Sequence, residues 1–245
     1  MANLAGATLI GQEIYEESSV PLHKIGQLGV DTFGNRYRYV KVGGSALVTG
    51  DLLQEPAEDT QFNNMAVPAA EAIGQTELTV TNGTTTVTAN MFDGGQLFVS
   101  YGTGIGQNFR ILSHTTGTSG ASITYTVDRP LKIALDTTSK VTVRKNKYNG
   151  VIQSPATTAT GGVVGVALYA TTAAYYGWIQ SGGDTACLAD TGTNFANDLQ
   201  GVGRSLAVAG SVKPQDGGEG GDVIGMANNV TSTDSYMLSV NLMID

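Results

Sequence analysis

The sequence has little charge and few of the residues that commonly carry out catalysis. Only 14% of its 245 residues are charged, two are histidine and one is cysteine, whereas soluble domains typically have ~25% charged residues. The lone Cys187 cannot form an intrachain disulfide. His23 and His114 have no cysteine or carboxylate near them at the spacing of a structural zinc site. We therefore expect no catalytic, cofactor or metal site, and a protein that is not an enzyme.

A basic surplus and long apolar runs are also missing. Lys and Arg number 13 against 21 Asp and Glu, which gives a formal net charge of −8, so the electrostatic pattern typical of a nucleic-acid binder is absent. No stretch approaches the ~20 apolar residues needed to span a bilayer. The first residues lack the basic and apolar regions of a secretory signal. We expect no nucleic-acid or membrane partner, and folding in the cytoplasm.

Glycine and threonine are abundant, and they indicate the fold class. The chain has 33 Gly and 30 Thr. Both residues are poor helix formers, while threonine favours strands. Many short strands separated by glycine-rich turns are typical of a sandwich or barrel. The sequence therefore predicts an all-β protein of short antiparallel strands, in two β subdomains preceded by an extended N-terminal arm.

The pattern along the chain divides it into four segments. Residues 1–24 are polar and aperiodic, and we expect an extended arm that orders only on a partner. Residues 25–60 are predicted to form a β-hairpin followed by a loop. Residues 61–148 and 149–245 each contain enough short strands for a β subdomain, the former a possible insertion. One short helix is expected near residues 67–73.

The local strand signals are clearest around Asn82-Gly83, which separates Glu77–Thr81 from residues 84–88. Asn-Gly favours the type I′ turn of a two-residue hairpin, so these flanking segments are predicted to pair with each other. Further strands are expected at 96–101, 108–113, 122–127, 140–145, 163–169, 175–180, 185–188, 202–208, 223–227 and 236–244.

One stretch is depleted in charge and rich in aromatic residues. No Lys or Arg occurs in residues 148–203, and the same stretch contains Tyr169, Tyr175, Tyr176 and Trp178. An unusually apolar core would explain this composition. A surface covered by another protein would explain it equally well, because interface centres lose charge and gain Tyr and Trp. On the second interpretation these four aromatic residues are candidate interface residues.

Three short motifs resemble functional sites. The glycines of residues 102–106 resemble a nucleotide-binding loop, but a predicted strand follows them where such a loop requires a helix. Residues 217–225 fit a calcium-binding nonapeptide once, whereas those sites need stacked copies. Asp190-Thr191-Gly192 resembles the active-site turn of retroviral-type aspartic proteases, in which two chains each supply one carboxylate. This last motif gives the alternative hypothesis from another functional class, a protease centred on Asp190.

Several stretches, in their order and spacing, resemble virion structural proteins of tailed bacteriophages, of the head decoration or cement type. They are GVDTFGNRYRYV at 29–40, GGSALVTGDL at 43–52, GQLFV at 95–99, GIGQNFRI at 104–111, DRPL at 128–131, NKYNGVI at 146–152, VGVA at 164–167, YYGWIQSGG at 175–183 and IGMA at 224–227.

The resemblance implies a non-enzymatic protein on the outside of a phage head, made in the host cytoplasm. Its implied partners are the major capsid protein, whose contacts it would stabilise, and its own copies in a homotrimer. Another virion component, such as a head fibre or a tail adhesin, is an alternative within the same class. No catalytic residue carries over, because the family has none.

Overall fold

The computed structural model describes the backbone of residues 4–5 and, in full, residues 12–190, 201–214, 223–228 and 237–245. It confirms the all-β prediction, since the described chain contains 17 strands and a single 3-10 turn at Thr60–Phe62. No helix among these residues has the length and apolar character needed to cross a membrane.

The chain divides into two compact units. Unit 1 consists of Met1–Ala57 and Lys147–Asp245, and unit 2 is the continuous segment Glu58–Asn146. The strands of unit 1 are β1 Leu4–Ala5, β2 Leu28–Asp31, β3 Arg36–Val42, β4 Leu52–Gln54, β11 Asn149–Gln153, β12 Val163–Ala167, β13 Tyr176–Leu188, β14 Gly201–Arg204, β15 Val212–Pro214, β16 Val223–Ala227 and β17 Met237–Met243. Those of unit 2 are β5 Met65–Ala66, β6 Glu77–Thr81, β7 Gln96–Tyr101, β8 Asn108–His114, β9 Ser122–Val127 and β10 Lys140–Arg144.

Unit 1 is built on an 11-stranded sheet that closes on itself over part of its length. Strands β3, β11, β4, β12 and β13 are neighbours in that order, and β13 also pairs with β3, so these five form a closed ring. The ring encloses apolar side chains such as Val40, Leu53, Val151, Val164 and Ile179. Closure satisfies the backbone groups that an open sheet would leave at its edges.

Strand β13 is the element that joins the two halves of this sheet. Its first half pairs with β3 from Tyr176 onward, and its second half pairs with β17 as far as Leu188. The sequence predicted two separate strands here, whereas the structure has one strand of 13 residues. Beyond the ring, β17, β16, β14 and β15 continue the sheet over a second apolar cluster that contains Cys187, Val202, Ile224 and Val240.

The stretch without Lys or Arg supplies three of the five ring strands, β11, β12 and β13. Six consecutive residues of β13, from Gly177 to Gly182, are buried. Charged side chains are almost never fully buried unless they are paired. The apolar-core interpretation therefore accounts for most of the charge depletion in the described part of this stretch.

Unit 2 is a six-stranded antiparallel sheet in the order β5, β10, β7, β8, β9, β6. Side chains alternate between buried and exposed along β7, β8 and β9, as expected for strands with one face on a core. The core includes three rings packed edge to face, with Phe92 at 4.8 Å from Phe62 and 6.0 Å from Tyr125 between ring centroids.

Two local predictions in unit 2 are wrong. Strand β6 does not pair with residues 84–88 through Asn82-Gly83 but with β9. The Asn82 side chain is buried and donates to the carbonyl oxygens of Thr85 (2.9 Å) and Thr118 (3.0 Å). Neither Asn82 nor Gly83 has the positive φ that a type I′ turn requires. The short helix expected near residues 67–73 is also absent, and Glu71 there forms an isolated bridge with Leu135.

Candidate functional site

The predicted interface residues lie in unit 1, in or near an aromatic cluster on the face of β3 and β13 that points away from the ring interior. Trp178 on β13 is 1% exposed. Its ring centroid is 5.2 Å from those of Tyr39 and His23. Trp178 therefore belongs to the core and presents no surface to a partner.

The three tyrosines predicted with it are half-buried. Tyr176 lies almost parallel to Tyr39, with ring centroids 6.4 Å apart, and the Lys41 ammonium is 5.7 Å from the Tyr176 ring. The Tyr169 hydroxyl donates to the carbonyl oxygen of Glu16. Tyr169 and Tyr176 thus form the outer layer of the cluster above Trp178.

Residues 12–24 lie on this outer layer instead of forming an arm that orders only on a partner. The Gln12 amide donates to the carbonyl oxygen of Tyr176 at 3.0 Å and accepts from the Tyr39 hydroxyl at 2.8 Å. Ile14 is buried in the same cluster, and Ser18 forms a backbone bridge with Tyr176. These contacts could not be predicted from the sequence, because Gln12 and Ser18 hold the segment through hydrogen bonds. Such bonds produce no regular spacing of apolar residues.

The same segment exposes large apolar side chains while its backbone is held. Tyr15, Val20 and Leu22 are 62%, 57% and 43% exposed. Tyr15 lies beside Tyr169, with ring centroids 6.5 Å apart, and the Leu22 amide donates to the Tyr39 hydroxyl at 3.1 Å. We call Tyr15, Val20, Leu22, Tyr169 and Tyr176 the N-terminal apolar surface.

Charged groups also lie at this surface, the Lys41 ammonium over the Tyr176 ring and the Glu17 carboxylate beside Thr172. The Glu17 carboxylate accepts from the backbone N–H and the hydroxyl of Thr172, at 2.6 and 2.8 Å. Burial raises the pKa of the Tyr169 hydroxyl and lowers the pKa of His23, which favours the neutral form of both side chains. Exposed aromatic and aliphatic side chains interspersed with polar groups are typical of a protein–protein contact.

Comparisons with known proteins identify no relative. No family model matches the chain, and no curated protein or solved structure matches it.

Asp190, the residue on which the protease hypothesis is centred, is not part of the aromatic cluster. Asp190 is 3% exposed, its carboxylate accepts from the Ser205 hydroxyl, and its N–H donates to the Val212 carbonyl at 2.9 Å. Thr191 and Gly192 lie outside the described residues, as do residues 217–222 of the calcium-like motif. Within the described ranges, no three His, Cys, Asp or Glu side chains are grouped closely enough to hold a metal ion.

Cys187 is enclosed in the second apolar cluster of unit 1. It is 0% exposed, and burial raises the pKa of its thiol to about 12. Since the thiolate is the reactive form, this cysteine is chemically inert in the folded chain. Its environment is that of a packing residue.

The burial of Cys187 predicts that iodoacetamide will not alkylate the native protein at pH 8. Labelling should be slower than in denaturing urea by on the order of a hundredfold or more, because both access and thiolate are lost. Mass spectrometry of timed samples measures both rates. Fast modification of the native protein would contradict the buried placement.

Proposed function

We propose that the chain is a non-enzymatic decoration protein that binds the outer surface of a tailed-phage head through its N-terminal apolar surface. The observation that carries the proposal is the exposure of Tyr15, Val20 and Leu22 on a segment whose backbone is fixed. The resemblance of the sequence to decoration proteins supplies the partner, the major capsid protein. It also implies that the protein assembles as a homotrimer.

The geometry is suited to repeated weak binding to a rigid lattice. The backbone that carries the apolar side chains is held before binding, since Gln12, Ser18 and Leu22 already bond to the body of unit 1. Little conformational freedom is then lost when a partner covers them, which favours affinity. Several copies of a modest surface in one oligomer would bind a lattice far more tightly than one copy.

A co-sedimentation assay tests the proposal with heads assembled from the major capsid protein of the same phage genome. The triple variant Tyr15→Ser, Val20→Ser, Leu22→Ser should bind such heads at least about tenfold more weakly, because it replaces exposed apolar area with hydroxyls. Its melting temperature should stay close to that of the native protein, since these side chains are mostly outside the core.

Phe33→Ser is the matched control. Phe33 is 90% exposed at the turn between β2 and β3 and is not part of the N-terminal apolar surface. Its replacement should leave head binding unchanged. If the native protein does not sediment with heads at all, the decoration function is wrong. If the triple variant binds as well as the native protein, another surface makes the contact.

A further inference from the structure

Unit 2 carries an open groove that the proposed decoration function does not use. It lies on the outward face of β7 and β10, beside the start of β8 and the segment around the 3-10 turn, with a volume of about 680 Å³. Phe98 forms part of its lining, and the amide side chains of Gln96, Asn108 and Asn64 line it as well. Its volume is within the range of ligand sites, roughly 300–1,000 Å³.

The polar side chains of the groove hold one another in place. The Gln96 amide nitrogen donates to the Asn108 side-chain oxygen at 3.0 Å. The Ser100 hydroxyl donates to the Asn64 side-chain oxygen at 2.7 Å, and the Asn64 backbone N–H donates to the Thr142 hydroxyl at 3.1 Å. These bonds orient the amides without using all of their hydrogen-bonding atoms.

The remaining atoms offer both donors and acceptors to a ligand. The carbonyl oxygen of the Gln96 side chain and the amide nitrogens of Asn108 and Asn64 form no hydrogen bond within the described chain. A ligand that presents alternating hydroxyl donors and acceptors would match this set. A purely apolar ligand would displace water from these exposed amides without replacing its hydrogen bonds, and a purely anionic ligand would use only the donors.

The charges and the aromatic ring narrow the class of ligand. One cation, Arg144, and one anion, Glu58, line the groove, so it has no net charge to favour a polyanion. Glu58 also accepts from the Asn63 amide at 2.9 Å. Phe98 is half-buried, and the C–H face of a sugar ring is the kind of surface that packs on such a ring.

We propose that this groove binds a neutral oligosaccharide, with Gln96, Asn108 and Asn64 recognising hydroxyls and Phe98 contacting a sugar face. The open shape of the groove suits a segment of a chain more than a small enclosed molecule. This activity is separate from head binding, since it uses side chains of unit 2 and none of the N-terminal apolar surface.

A glycan array of neutral and acidic oligosaccharides, probed with the full-length labelled protein, tests the proposal. Neutral hexose oligomers should bind, and isothermal titration should then give the affinity for the best of them. The double variant Gln96→Ala, Asn108→Ala removes two exposed side chains and should weaken that affinity by about tenfold or more. Ser122→Ala, an exposed position on β9 outside the groove, should leave it unchanged.

Three other results would contradict the saccharide proposal, and each would do so differently. An absence of binding at millimolar glycan rules out a saccharide site. Binding confined to acidic glycans and lost with Arg144→Ala identifies an anion site. Binding that the double variant leaves intact places the saccharide elsewhere on the chain. Since head binding is assayed by co-sedimentation, failure here leaves that proposal unaffected.

Discussion

Replacing Trp178 with alanine is expected to lower the free energy of unfolding by about 3–5 kcal/mol. The side chain is 1% exposed and packs between Tyr39 and His23, with ring centroids at 5.2 Å from both. Its removal would leave a cavity on the face of β3 and β13 that points away from the ring interior, beneath His23 and Ile14. Because these two strands pair along six positions, they cannot move together to fill the space.

A conservative variant separates lost packing from a general intolerance of substitution at this site. Trp178→Phe retains an aromatic ring and should cost less than half as much as Trp178→Ala. Tyr15→Ala, at a 62% exposed position of the same cluster region, should cost less than about 1 kcal/mol. Urea titrations of the three variants give their free energies of unfolding. Far-ultraviolet circular dichroism is the signal to follow, because both Trp178 variants lack the only tryptophan of the chain and cannot be followed by tryptophan fluorescence. A loss below about 1 kcal/mol for Trp178→Ala would contradict the core placement.

Strands were predictable wherever the chain alternates between apolar and polar residues. The last strand shows this directly, because its alternate residues Leu238, Val240 and Leu242 are apolar and are all buried. Residue 236, where the predicted strand begins, lies outside the described residues. The hairpin of β2 and β3 was predicted in the same way and is confirmed by their pairing. In each case the signal is local, since a strand with one buried face has a period of two.

Strand pairing was less predictable, because the partner of a strand is chosen by contacts distant in the sequence. Asn82-Gly83 has the composition of a hairpin turn, yet Asn82 donates to Thr118, 36 positions away. Buried hydrogen bonds of this kind outweigh a turn preference when the turn would leave the amide unsatisfied. No pattern within residues 77–88 reveals that contact.

The candidate interface shows a different limit of sequence analysis. Loss of charge together with gain of Tyr and Trp describes both a core strand and an interface centre. Trp178 belongs to the core, whereas Tyr169 and Tyr176 are half-buried. Residues 12–24 lie over them, and the polar, aperiodic sequence of that segment does not predict this contact. Composition could identify the region but could not assign each ring to the inside or the outside.

Replacing Gly102 with alanine is expected to destabilise the protein by about 2–5 kcal/mol, the sum of a backbone and a steric penalty. Gly102 follows β7 and has φ +79, a left-handed conformation that L side chains rarely adopt. A Cβ atom there would lie 2.4 Å from the Thr138 carbonyl oxygen and 2.9 Å from Ser139 Cα. Since both neighbours are backbone atoms, no side-chain rotation can relieve the contact.

Gly106, in the same glycine-rich loop, isolates the first of these two penalties. Its φ is +88, but a Cβ atom there would meet nothing within 4 Å. Gly106→Ala should therefore cost only about 1–2 kcal/mol, the price of the left-handed backbone alone. Urea titrations of the two variants give the difference directly. Equal losses would show that the backbone at Thr138 moves to accept the methyl group. A larger loss at Gly102 would show that close backbone packing requires glycine in this loop. That structural role agrees with the loop being followed by strand β8 instead of the helix of a nucleotide-binding site.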